Sequence, residues 1–239
     1  MTQPMRPCAT DSLYKDLEAK YGLREVQLPE NMHLRPLNVF DLDAVDELEA
    51  AAFSPSERAS RERIEYRLRT CPELCLGLFK REYVWDEEAS EGAVGVAAAK
   101  ATECKETIVG HILATKMLTD TIVDEAMEIP DLDKRGIPVN KSDKRGHQET
   151  GRFIGIHAVA IHPDFQRMGL GFVMLKDYVQ SLFSLQTADG ISIIVHDKYV
   201  SFYERNGFEN RGKSECQYAG STWLDMYLPF DTYDDRSWE

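Results

Sequence analysis

The chain has 239 residues, 43% of them apolar and 29% charged, with 28 basic against 41 acidic side chains and a formal net charge of −13. That length suits one large domain, or one domain with extensions. An acidic surface speaks against nucleic acid and anionic membranes as partners, and is compatible with cationic small molecules or with plain solubility.

The five cysteines, at 8, 71, 75, 104 and 216, are odd in number, and Cys71 and Cys75 lack the second pair that would complete a zinc site. Reduced thiols in an intracellular protein are therefore expected, and no metal. No apolar run approaches the roughly 18 residues of a membrane span, and the N-terminus lacks a signal-peptide core, so a cytoplasmic location is the expectation.

Residues 1–32 read as an N-terminal extension with one short helix near Ser12–Tyr21. His33, Arg35 and Leu37 then alternate with Leu34 and Pro36, a weak strand signal that opens a domain spanning 33–230. Asp41 can cap a helix to about Ala52, with Leu42, Val45 and Leu48 on one stripe, and Ser60 can cap a second helix carrying Ile64 and Leu68. "ELCLGLFKR" and "TIVGHILATKML" read as strands, with insertions near 81–107 and 119–149. The second insertion is long enough for a lid, and part of it can be helical.

"FIGIHAVAIHP" has the composition of a strand buried on both faces. In "GLGFVMLKDYVQSLFSL", Val173, Leu175, Tyr178, Val179 and Leu182 fall near helical spacing. "ISIIVHD" is another buried strand, and "KYVSFYERNGF" a short helix capped by Asp197 and stopped by Asn206-Gly207. In "STWLDMYLPF", Leu224, Met226 and Leu228 alternate as in a strand, and 231–239 form an acidic tail. The order β-α-α-β-β-β-α-β-α-β predicts a mixed α/β sheet with helices on its faces.

"QRMGLG", Gln166–Gly171, lies where a strand hands over to a helix. A helix start offers N–H groups without partners and partial positive charge, and glycines admit a ligand close to the backbone. Such a turn suits phosphate. It is not a P-loop, since G-K-[ST] is absent, nor a dinucleotide fingerprint, since Met174 stands where a third glycine belongs.

The turn resembles the Q/R-x-x-G-x-G/A signature of the GNAT superfamily of acetyl-CoA-dependent N-acetyltransferases, and "SFYERNGF" resembles its later motif. "AFSPSE", "TCPELCLGLF", "KRGH", "HAVAIHPDFQRMGLG" and "VSFYERNGF" look like successive blocks of the arylalkylamine (serotonin-type) N-acetyltransferases, across about 35–230. The two insertions resemble the fungal branch, where polyamines are also proposed substrates.

The resemblance implies a mostly antiparallel, twisted sheet with a splayed central strand pair. It also implies acetyl-CoA as co-substrate, bound through the backbone of Val159 and Ile161 and through Gln166, Arg167, Met168, Gly169, Leu170, Gly171 and Phe172. Direct acetyl transfer in a ternary complex would deprotonate an ammonium and protonate a thiolate. His157 matches a family base and Tyr203 the family general acid.

The vertebrate enzymes carry two histidines two residues apart; here Gly155 takes the other place, and a water chain ending at His157 would replace the pair. His162 reads as structural, and His111 and His196 have no metal-site spacing. Phe53 and Pro55 align with a substrate-contacting loop, and Glu49 on the preceding helix can hold an ammonium or be a solvated charge.

The expected partner is a small amine, with an arylalkylamine such as serotonin, tryptamine, tyramine or dopamine ahead of a polyamine, and the expected state a monomer. A non-catalytic acyl-CoA-binding module is the alternative of another class. An elongated apolar pocket would favour aryl amines and a carboxylate-lined channel polyamines.

Overall fold

A computed structural model describes residues 28–85, 101–140 and 142–230. The expected helix near Ser12–Tyr21 and the acidic tail lie outside the described residues. The strands are β1 (Met32–Pro36), β2 (Leu76–Trp85), β3 (Ala101–Met117), β4 (Phe153–Ile161), β5 (Gly190–Val195), β6 (Glu209–Lys213) and β7 (Leu224–Pro229). The helices are α1 (Leu42–Ala52), α2 (Arg61–Thr70), α3 (Asp124–Met127), α4 (Leu170–Leu185) and α5 (Val200–Glu204).

Together the strands make one sheet in the order β1-β2-β3-β4-β5-β7-β6. Every pairing in it is antiparallel except the parallel pair β4–β5. The mixed sheet with helices on both faces is as expected.

Each face has its own core. Leu170, Met174, Leu175, Tyr178, Val179 and Leu182 of α4 press on Ile112, Ile154, Ile156, Ile191 and Ile193. On the other face Leu42, Val45 and Leu48 of α1 and Ile64 and Leu68 of α2 cover Phe79, Leu113, Ala158 and Ala160. Each buried Leu, Ile, Val or Met side chain among them contributes roughly 1.5–3 kcal/mol.

β4 changes face partway along. Ile154 and Ile156 join the α4 core, whereas Ala158 and Ala160 join the α1–α2 core. The cause is a bulge: Ala158 pairs with Leu113 and Ile156 with Ala114, which leaves His157 without a partner on β3. One extra residue shifts the period-two alternation to the opposite face.

The caps differ in part from expectation. Ser60 accepts from Arg63 N–H at 3.3 Å, as expected. Asp41 does not cap α1; it forms an ion pair with Arg35 and accepts from Asn38 N–H, while Asn38 Oδ1 caps the preceding 3-10 turn. Asp197 makes no capping bond to α5 either, because a 3-10 turn intervenes. Gly207, at φ 87°, ends that helix as expected.

The stretch 81–107 is not all loop, since β2 runs on to Trp85 and β3 starts at Ala101. β6 carries no period-two apolar pattern, and the sequence did not announce it. The segment 119–149 holds α3 and an isolated bridge from Leu132 to Pro138. It is fastened to the sheet and to α2: Ser192 Oγ donates to Asp120 O at 2.7 Å, Gln148 N–H to Lys116 O at 3.0 Å, and His147 N–H to Tyr66 Oη at 3.1 Å. The described cysteines, 71, 75, 104 and 216, are free thiols.

Candidate active site

The parallel pair β4–β5 holds together over only four residues, from Phe153↔Gly190 to Ile156↔Ile193. Beyond it β4 stays with β3 and β5 stays with β7, so the two strands part. His162 N–H donates to Val109 O at 2.8 Å. In an antiparallel ladder alternate residues bond to one side, so Ala160 and His162 address β3, and Val159 and Ile161 present their backbone groups to the gap. Ile161 O there accepts from Gln166 Nε2 at 3.0 Å.

The glycine turn stands at the mouth of this gap. Arg167 (φ 61°) and Gly169 (φ 79°) are both left-handed, and Gly169 is the N-cap of the 16-residue α4. Phe172 N–H and Val173 N–H turn back to Gly169 O, while Leu170 and Gly171 head the helix, where N–H groups lack intrahelical acceptors. The first turn of α4 holds no carboxylate. A Cβ on Gly171 would meet nothing closer than Ile161 at 3.5 Å, so packing alone does not demand glycine there. A bare helix start with donors pointing outward fits a diphosphate.

His157 sits at the bulge. Its Nε2 is 2.8 Å from Thr115 Oγ1 and its Nδ1 3.3 Å from Met127 Sδ, so both nitrogens are engaged. Burial, helped by the Arg67 and Arg63 charges, holds its pKa well below the usual imidazole value, and the ring is neutral. Gly155 faces Met117: a Cβ there would collide with Met117 Sδ. The volume that a second histidine would need is filled by a methionine.

Tyr203 is buried among Phe202 and Phe208, edge-on to both. Burial and the neighbouring Tyr199 push its phenol above its usual pKa, so it is a neutral donor at physiological pH. Its hydroxyl has no hydrogen-bond partner among the described residues.

Glu49 is not a solvated charge. It is 1% exposed; one carboxylate oxygen accepts from Ala59 N–H at 3.0 Å and the other lies 3.5 Å from Nε2 of the buried His111. Burial pushes Glu49 up to about 7 and His111 down to about 3, so near pH 6 the pair is neutral despite its proximity. Phe53 packs inward against the α1–α2 core and Pro55 faces solvent. His162 accepts from Asp164 N–H at 3.3 Å and caps the turn after β4, a structural role.

A cavity of about 690 Å³ opens past the end of β5, lined by Ser54 and Glu57 of the α1–α2 connection, His196, Asp197 and Lys198 after β5, and Thr222 and Leu224 beside β7. His196 Nε2 is 3.0 Å from Glu57 Oε1, which also accepts from Ser221 Oγ at 3.2 Å, and the imidazole stacks on Trp223 with centroids 4.2 Å apart. Sequence reasoning missed this cluster. Glu57 and His196 lie 139 residues apart, and no local pattern joins them. Among the described residues no group of three His, Cys, Asp or Glu side chains could hold a metal ion.

Residues 86–230 match the family described as "Acetyltransferase (GNAT) domain". The chain belongs to the GNAT acetyltransferase family. It is 29% identical over 80 residues to a serotonin N-acetyltransferase of Mesocricetus auratus, covering 34% of this chain and 39% of that protein. It is 24% identical over 151 residues to a serotonin N-acetyltransferase of Macaca mulatta, covering 63% of this chain and 54% of that one. The aligned segments thus span about half or less of these relatives' lengths. Among solved structures, the loading GNATL domain of CurA from Lyngbya majuscula superposes with a TM-score of 0.57 over 84% of this chain and 98% of that one, at 14% identity, a likeness of fold. Among the described residues no helix is long and apolar enough to cross a membrane.

Proposed function

We propose that this protein is an acetyl-CoA-dependent amine N-acetyltransferase that works by direct transfer in a ternary complex, with arylalkylamines as its substrates. The observation that carries the acetyl-CoA part is the parting of β4 from β5 after Ile156↔Ile193, with the glycine-led start of α4 at its mouth. Val159 and Ile161 would pair with the pantetheine arm as an added strand, and the backbone from Arg167 to Phe172 would hold the diphosphate. Acetyl-CoA supplies the activated acyl group. The arylalkylamine part rests on the likeness to serotonin N-acetyltransferases.

Within this chain, Tyr203 is the proton donor to the departing sulfur, kept neutral by its burial. His157 is the candidate base on the β4 side; its ring is neutral, but the burial that holds its pKa down also weakens it as a base. Glu49 faces the buried His111 and does not line the cavity. A polyamine reading draws on one observation: Glu57 and Asp197 both line the cavity. We place the protein in the cytoplasm as a monomer.

The test is thiol release from acetyl-CoA with tryptamine, serotonin, tyramine, dopamine, spermine and a histone peptide side by side. The expected ranking puts the aryl amines first in kcat/KM. Spermine at the head would move the assignment to polyamines. Acetyl-CoA binding without turnover on any amine would leave an acyl-CoA-binding module.

A further inference from the structure

The proposed reaction has one histidine on β4, with Met117 filling the space beside Gly155 where a partner would stand. That histidine has both nitrogens taken, by Thr115 and by Met127. Across the gap, three residues beyond the last β4–β5 pair on the β5 side, stands His196. Met127, which covers His157, belongs to one apolar cluster with Ile194 and Trp223, and His196 stacks on Trp223. The two histidines thus flank a common wall, and of the two only His196 lines the cavity.

We propose that His196, oriented by Glu57, takes the first proton from the acceptor ammonium; this rests on the acetyltransferase reading above. Glu57 Oε1 lies 3.0 Å from Nε2, which puts the neutral ring's proton on Nε2 and leaves the Nδ1 lone pair free. Nδ1 has no hydrogen-bond partner and is not sealed from solvent among the described residues. Glu57 is fixed by Ser221 Oγ and through its own carbonyl by Tyr218 Oη at 3.1 Å, and Trp223 is fixed by its Nε1 donating to Tyr218 O at 2.8 Å. A carboxylate behind one imidazole nitrogen and an open lone pair on the other is the arrangement of a general base. The charged groups around the ring are Glu57 from the α1–α2 connection and Asp197 and Lys198 from its own segment, whereas the β7 side gives uncharged Thr222, Trp223 and Leu224.

The step balances. The ammonium N–H bond breaks and its proton goes to His196 Nδ1, giving an imidazolium that faces the Glu57 carboxylate. The amine lone pair forms the N–C bond at the thioester carbonyl, and the C–S bond breaks with its electron pair on sulfur. Sulfur takes a proton from Tyr203 Oη, the nitrogen's second proton restores that phenol, and His196 returns its proton to water. His196 acts as a catalytic residue and Glu57 as a positioning residue.

The experiment compares wild type with His196→Ala, His196→Gln, Glu57→Gln and His157→Ala, using tryptamine and acetyl-CoA, with melting temperature and CoA affinity as checks on folding. For both His196 variants kcat should fall about 100-fold with CoA affinity unchanged. Added imidazole should restore His196→Ala through the vacated cavity. The deficit should also shrink as pH rises and more of the amine arrives unprotonated. Glu57→Gln should lose roughly tenfold in kcat with little change in KM. His157→Ala should lose less than His196→Ala.

Wild-type turnover with both His196 variants inside about threefold of it overturns the proposal and leaves the acetyltransferase reading standing. So does a loss that neither imidazole nor alkaline pH relieves. A wild type that acetylates no amine overturns both readings together.

Discussion

The proposed cofactor side and the proposed acceptor side of this site are built on different principles. The first is made of backbone: the free edge of β4, the left-handed Gly169 and the first N–H groups of α4, all within residues 159–172. The second is made of side chains brought together from the α1–α2 connection, the end of β5 and the β6–β7 connection, as in Glu57, His196 and Ser221. Backbone sites depend on conformation, so single substitutions act on them through φ and steric access. Side-chain sites depend on chemistry, and tolerate any change that keeps the acting group in place.

The sharpest way to break the backbone half is Gly169→Val. A β-branched residue at φ 79° costs about 1–2 kcal/mol in conformation alone, and its side chain intrudes where the diphosphate would lie. We expect CoA affinity, measured by calorimetry, to drop by about 100-fold or more, equivalent to about 3 kcal/mol. Gly171→Ala should be far milder, because its Cβ meets only ordinary contacts. Equal losses at the two glycines would mean that the close approach, rather than the conformation at Gly169, sets the affinity.

Tyr203→Phe tests the chemical half with the least structural disturbance. No hydrogen bond is lost, since the hydroxyl has no partner among the described residues. The melting temperature should stay within a degree or two, while kcat falls roughly 30- to 100-fold and CoA affinity holds. A large stability loss with kcat intact would show the tyrosine to be packing.

Met127→Ala separates the two histidines. Met127 is buried, and truncation costs about 2–5 kcal/mol, which thermal melting should register. Burial is the main reason that the His157 pKa is depressed, so letting water to the ring should raise it toward the ordinary value, as followed by NMR titration. If His196 takes the proton, kcat changes by less than about threefold in the folded variant, whereas a marked gain would return the base role to His157.

The halves also differ in how far the sequence revealed them. The glycine turn was legible because its requirement is local: a buried strand, two glycines and an amphipathic helix follow one another in the chain. The two helix stripes of α1 and α4 were legible for the same reason. The bulge at His157 was not, because the residues on either side of it are all apolar or small and period two cannot be followed through "IGIHAVAI". Nor was the face of His157, which the bulge sets.

β6 escaped notice because "ENRGK" lies at the sheet edge with exposed side chains and needs no apolar alternation. Asp41 and Asp197 looked like caps, but an ion pair with Arg35 and an intervening 3-10 turn took precedence. Glu49 showed as a polar position on a helix, and only the packing of Ala59 and His111 around it shows that it is buried.

That burial makes Glu49 a lever on stability rather than on activity. Glu49 is raised from an ordinary 4.5 to about 7, so between those pH values the folded protein keeps a proton that the unfolded chain has released. Folding therefore loses stability as pH rises through that window, by on the order of 3 kcal/mol. His111 works the other way. Its value falls from 6.5 to about 3, so between those values the unfolded chain holds the extra proton and the fold gains stability as pH rises. The two effects oppose each other between about 4.5 and 6.5, and the wild type should be nearly flat there.

Glu49→Gln removes only the first effect and keeps an acceptor for Ala59 N–H. Its melting temperature should match or trail wild type at pH 5 and exceed it at pH 8. Turnover should change little, because Glu49 faces His111 and not the cavity. A stability difference that is the same at both pH values would show that Glu49 carries its charge inside the fold, with Arg67 as the compensating cation.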